Sequence, residues 1–147
     1  MPNTPSIIAR PTATGWEGRY VHNNGHPETR LPLLHALHDG PFATSHERMT
    51  RFLIDDHPAG WSQLGHDPTT DTGWINPCPP IGDNGFRCYC HGQRREEPCL
   101  ITDIDAEPDL YDFVYVLHPH GIQLYESSST TWWTGPVRAW NIRERAA

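Results

Sequence analysis

The chain of 147 residues contains no lysine, and all eleven of its basic residues are arginine. An arginine bias of this kind is what a GC-rich genome produces, yet its chemical consequence is definite. Without lysine there is no Schiff-base nucleophile, no lysine to carry a covalent cofactor and no phosphate lysine of the P-loop type. Positive charge is scarce overall: the formal net charge is −7, so no summed positive field exists to displace counterions from a phosphate backbone, and nucleic acid is not an expected partner. Nor is there an apolar run of about 18 residues, so no segment reads as a membrane span. The opening Met1-Pro2-Asn3-Thr4-Pro5-Ser6-Ile7-Ile8 has neither the basic nor the long apolar region of a secretory signal, and the expected setting is cytoplasmic.

Apolar residues are also few. They make up 36% of the chain, and including the twelve glycines raises this only to about 44%, just under the globular norm. Six Trp, five Tyr and four Phe offset the shortage, because each aromatic side chain buries a large, stiff surface. The length suits one domain with one core. Fifteen prolines fix φ and remove amide donors, which predicts extensive irregular backbone.

What the sequence does have is a cluster of sulfur. Cys78, Cys88, Cys90 and Cys99 fall within twenty-two residues, His91 follows directly, and Arg87, Arg94 and Arg95 surround them. In a reducing compartment structural disulfides are rare, which leaves metal ligation, thiol reactivity or packing as small hydrophobes. Zinc takes four thiolate or imidazole donors tetrahedrally, so Cys78, Cys88, Cys90 and Cys99, with His91 as a substitute, are the candidate ligands of a structural zinc. The intervals of nine, one and eight residues differ from the paired Cys-x2-Cys knuckles of a zinc ribbon, and no Cys-x-x-Cys redox pair is present.

Read for secondary structure, residues 1–14 form an expected flexible arm and residues 15–142 the domain, with 143–147 as a tail. Trp16 to His22 has the aromatic and β-branched character of a strand. Asn23-Asn24-Gly25 turns the chain into a short helix with Leu31, Leu33, Leu34 and Leu37, and Pro32 is expected in its first turn. Ser45 N-caps a second helix bearing Met49, Phe52, Leu53 and Ile54. Residues 59–84 read as irregular, anchored by Trp61, Leu64, Trp74 and Ile75. In Phe86-Arg87-Cys88-Tyr89-Cys90, alternation sends Phe86, Cys88 and Cys90 to one face and Arg87, Tyr89 and His91 to the other. A hairpin follows over 112–117 and 122–126, then a Ser/Thr linker and a last strand over 137–142. The sum is an α+β fold, an antiparallel sheet of four or five strands with two short helices on one face and a long irregular middle segment.

The segment Tyr20-Val21-His22-Asn23-Asn24-Gly25-His26-Pro27-Glu28, followed by Leu33-Leu34, resembles a group of short uncharacterised actinobacterial and phage proteins. In these a strand runs through an HxxGxPE-type turn into a leucine-bearing helix, and the likeness extends to the late Tyr-Val-Leu hairpin. Asn23, Asn24 and His26 depart from the aromatic, Asp and Tyr more common there. The resemblance implies a bacterial or phage setting and a fold, but no reaction.

Three sets of side chains compete for function. Arg87, Arg94 and Arg95 are suited to grip a small anion bidentately, although Glu96 and Glu97 are placed to neutralise them. His22, His26 and Glu28 are types that exchange protons or bind metal, which would make a small hydrolase. Cys88 or Cys90 would serve a thiol enzyme. There is no Gly-x-Ser-x-Gly elbow, His-Glu-x-x-His helix, Gly-x-Gly-x-x-Gly loop or EF-hand. The carboxylates of Asp55-Asp56-His57 and Asp103-Ile104-Asp105 read as solvated helix-end and loop residues. The preferred reading is therefore a non-enzymatic accessory protein that recognises a partner protein or a small anionic ligand. A phage factor that sequesters a host molecule is a further alternative. Trp132-Trp133 would point one indole to each side of a strand, a feature suited to packing or to a homo-oligomer contact.

Overall fold

The computed structural model describes residues 4–22, 25–64, 86–90 and 97–140. Eight strands form one mixed sheet: β1 (Ser6–Pro11), β2 (Trp16–Val21), β3 (Trp61–Gln63), β4 (Arg87–Cys88), β5 (Ile101–Thr102), β6 (Phe113–His118), β7 (Gly121–Ser127) and β8 (Trp132–Ala139). The order is β4-β3-β2-β1-β6-β7-β8, with β5 also paired to β2. The fold is α+β as expected, but the sheet is larger than four or five strands and is not purely antiparallel: β1 runs parallel to β6, and β2 parallel to β3.

Most of the difference comes from β1. Residues 6–11 were expected in an arm, yet Ile7, Ile8 and Ala9 are fully buried at the middle of the sheet. Ile7 and Ala9 face one side and Ile8 the other, so both faces of this strand are covered, and its short apolar run lacks the alternation that marks a half-exposed strand. β3 falls in the stretch expected to be irregular, and β8 runs from Trp132 to Ala139 rather than over 137–142, so the Ser/Thr linker before it is confined to 128–131. The expected hairpin is present as β6 and β7, with His118 opposite Gly121.

Between β2 and β3 the chain crosses one face through α1 (Pro27–Asp39) and α2 (His46–Thr50). Pro27 opens α1, Glu28 lies in its first turn and His38 in its last, and the amide of Gly40 caps it by donating to Ala36 O. Pro32 consequently lies inside the helix rather than in its first turn. Ser45 caps α2, its Oγ accepting from the Arg48 amide at 3.2 Å. The helix then widens into a π-helical turn, Arg51–Asp55, closed by Asp56 N–H to Arg51 O at 2.8 Å. This wide turn aims two carbonyls at the sheet: Leu53 O accepts from the Trp61 indole at 2.9 Å and Ile54 O from Arg19 Nε at 2.8 Å.

Two apolar clusters result. Under the helices, Leu34, Leu37, Met49, Phe52 and Leu53 pack on Ile8, Val21, Trp61, Phe86, Cys88 and Tyr115. On the opposite face Ile7, Ala9, Trp16, Val114 and Val116 are covered by Ile101 and Ala106, with Tyr20, Tyr111, Tyr125 and Trp132 partly buried at the margin. Trp132 thus packs inward while Trp133 is 57% exposed, as adjacent strand residues should be. Among the described residues no helix is long and apolar enough to cross a membrane.

Candidate functional site

The outer edge of β2 is shared by two partners. Its end pairs with β3 through Val21 and Trp61, and its start with β5 through Glu17–Thr102 and Gly18–Ile101. Into the interval between them come two further segments, 57–60 and 97–100. They are tied to each other by Cys99 N–H to Pro58 O at 2.9 Å, and the first is tied to the segment after β4 by Tyr89 N–H to Gly60 O at 3.0 Å. Gly60 is required here, because its φ is +88° and a Cβ would lie 2.8 Å from Tyr20 O.

On the helix side of this junction His57, Cys88 and Cys90 converge, with Nδ1 or Nε2 and the two Sγ atoms all within 4.8 Å of one another. The Cys90 Sγ is 3.5 Å from His57 Nδ1. His57 and Cys88 are fully buried and Cys90 half-buried. The His57 ring is fixed between Phe52, at 4.9 Å between centroids, and Trp61, at 4.5 Å. The group therefore lies within metal-binding distance. A thiolate–thiolate–imidazole set is one that suits zinc and other borderline-soft cations.

Burial first, then the neighbouring Cys88 thiol, pushes the Cys90 thiol up to about 11. A nucleophilic cysteine needs the opposite shift, towards the thiolate. As a pair of free thiols these residues are poorly prepared for catalysis; as ligands they are well gathered.

Of the residues singled out from sequence, the structure joins Cys88 and Cys90. Cys99 docks beside Pro58 through its backbone, but it is exposed and its side chain lines a different space. Cys78, His91, Arg94 and Arg95 lie outside the described residues, as do Trp74 and Ile75. Arg87 donates to Gln63 Oε1 at 3.3 Å. The histidines of the first turn have separate engagements: His22 Nδ1 is 2.6 Å from the Tyr20 hydroxyl, whereas His26 is exposed against Phe113, with ring centroids 6.0 Å apart. Glu28 is exposed in the first turn of α1. The member of this group missed from sequence is His57. It was grouped with Asp55 and Asp56 as a solvated helix end, whereas it is buried and follows a π-helical turn, which sequence spacing does not reveal.

Across the same junction, on the other face of the sheet, an open cleft of about 620 Å³ is lined by Tyr20, Ala59, Tyr89, Glu97, Cys99, Ile101, Leu110 and Tyr111. The Tyr20 and Tyr111 rings meet at 62° with centroids 6.0 Å apart. Burial raises the phenol pKa of both, so both are neutral near pH 7. The two sites share their scaffold: His57 and Ala59 belong to one short segment, Cys88, Tyr89 and Cys90 to another, and alternate residues face the thiol site and the cleft. No family model, curated protein or solved structure matches this chain.

Proposed function

We propose that this is a non-enzymatic binding protein of a bacterium or phage, in which a structural zinc held by His57, Cys88 and Cys90 fixes the wall of the tyrosine-lined cleft, and the cleft is the recognition site. The observation that carries this reading is the convergence of three donors from two separate segments. Ideal zinc bonds of about 2.3 Å to sulfur and 2.1 Å to nitrogen place tetrahedral donors roughly 3.4 to 3.8 Å apart, and the Cys90–His57 contact of 3.5 Å is already in that range. His57 and Cys88 are buried and Cys90 half-buried; the metal would tie the segment after the π-helical turn to β4, with the fourth position of a tetrahedral zinc left to a ligand beyond these three. Bound there, zinc would cross-link the two segments.

Recognition rather than reaction is favoured by the cleft. Its walls are phenols, aliphatic groups, one thiol and one carboxylate, a mainly apolar surface with a few polar groups of the sort that fixes a ligand's orientation. The histidine reading of a hydrolase is disfavoured by the exposure of His26 and Glu28, and the thiol-enzyme reading by the raised Cys90 thiol.

Elemental analysis of the purified full chain tests the metal. About one zinc per chain is expected, lost in Cys88→Ser and His57→Ala, with a lower melting temperature after chelation. A protein that takes up no stoichiometric metal on reconstitution, and whose melting is indifferent to chelator, overturns the zinc.

A further inference from the structure

We infer that the cleft binds a small organic cation, an alkylated ammonium carrying an apolar body, with Tyr20, Tyr89 and Tyr111 facing the charge and Glu97 opposing it. This rests on the reading of the cleft as the recognition site and names its ligand class. Three aromatic side chains line one cavity, and two of their rings stand edge to face at 62°; a ring face turned to the cavity offers the negative side of its quadrupole. A cation within about 6 Å of such ring centroids is attracted without requiring a directional hydrogen bond, and most strongly where it is partly desolvated.

The charge balance points the same way. Glu97 is the one charged residue among those lining the cleft in the described part of the chain. Arg19 sits next to Tyr20 on β2 but is turned to the opposite face, where its Nε donates to Ile54 O. The chain as a whole carries −7, which favours the approach of cations. At about 620 Å³ the cleft exceeds the volume of a bare ammonium head, and Ile101 and Leu110 offer the remainder to an apolar substituent.

The test uses the full chain with zinc supplied, at fixed ionic strength, and three probes: choline, its uncharged isostere 3,3-dimethylbutan-1-ol, and inorganic phosphate. Binding is followed by NMR. The expected result is choline binding at least tenfold tighter than the neutral isostere, with upfield shifts of the N-methyl protons caused by the ring faces. Tyr111→Leu should weaken choline about tenfold, Tyr111→Phe only a few-fold, and Glu97→Gln should weaken choline but not the isostere. Equal binding of choline and the isostere overturns the cation assignment while leaving a recognition cleft. Binding of phosphate alone overturns it in favour of an anion site, and no binding of any probe by folded, zinc-loaded protein overturns it outright. Zinc content, measured on the same samples, reports separately on the metal, so its loss is distinguishable from failure of the cage.

Discussion

Cys90 Sγ lies 3.5 Å from His57 Nδ1 although thirty-three positions separate them in the chain. Because burial and Cys88 hold the Cys90 thiol up to about 11, a metal bound there must displace its proton at neutral pH. Affinity for zinc should therefore rise with pH throughout the range below 11, by up to tenfold per pH unit for each thiol proton released. Competition against a chelating dye at pH 6.5, 7.5 and 8.5 checks this. A flat profile would be incompatible with thiolate ligation.

Trp61 supports the His57 ring and is fully buried among Phe52 and Phe86, with its indole N–H donating to Leu53 O. Trp61→Ala removes a large core side chain and leaves that carbonyl without its donor, which should cost about 3 to 5 kcal/mol. Trp133, 57% exposed on β8, is the control: its replacement by Ala should change stability by no more than about 0.5 kcal/mol. Urea denaturation of both variants measures the contrast.

How far these features were legible in the sequence depended on whether local pattern or distant pairing decided them. The β6–β7 hairpin, the Ser45 cap and the shared face of Phe86, Cys88 and Cys90 follow from alternation and capping chemistry, and the structure has them. β1 was missed because Ser6-Ile7-Ile8-Ala9 between prolines resembles an extended arm, and only pairing with Val114 and its neighbours, far along the chain, makes it a central strand. β3 and β5 are three and two residues long, too short for any period to show. His57 was hidden for a related reason: it follows a π-helical turn at 51–55, closed by an i→i+5 hydrogen bond, and that widening has no compositional signature. The cleft was invisible because Tyr20, Tyr89 and Tyr111 come from three separate segments.

Gly60 turns the chain between His57 and β3 at φ +88°, where a Cβ would press on Tyr20 O. Gly60→Ala should destabilise by about 1 to 3 kcal/mol through the left-handed backbone and this close approach. Thr44 provides the converse, since it holds φ 63° in the loop before α2. Thr44→Gly relieves that strain while raising the entropy of the unfolded chain, and should leave stability unchanged or raise it by up to about 1 kcal/mol. Thermal melts of the two variants should move in different directions or leave Thr44→Gly level with the parent.

Arg10 clasps Asp55 with two hydrogen bonds, at 2.8 and 2.7 Å, and Glu17 with a third at 2.9 Å, so joining the edge of the β1–β2 hairpin to the π-helical turn. The Arg10 hydrogen bonds hold the Asp55 carboxyl below its usual range. A carboxyl whose folded pKa is depressed stabilises the fold above its unfolded value, near 4, and that contribution disappears as pH falls through the folded value. With the Asp55 side chain 45% exposed, solvent screening limits the pair to about 1 kcal/mol. Asp55→Asn should therefore cost about that much at pH 7 in low salt, less in 1 M salt, and measurably less at about pH 3, below the unfolded value. Chemical denaturation at the two pH values decides it: an undiminished difference at low pH would mean that Asp55 acts through shape or hydrogen bonding and not through its charge.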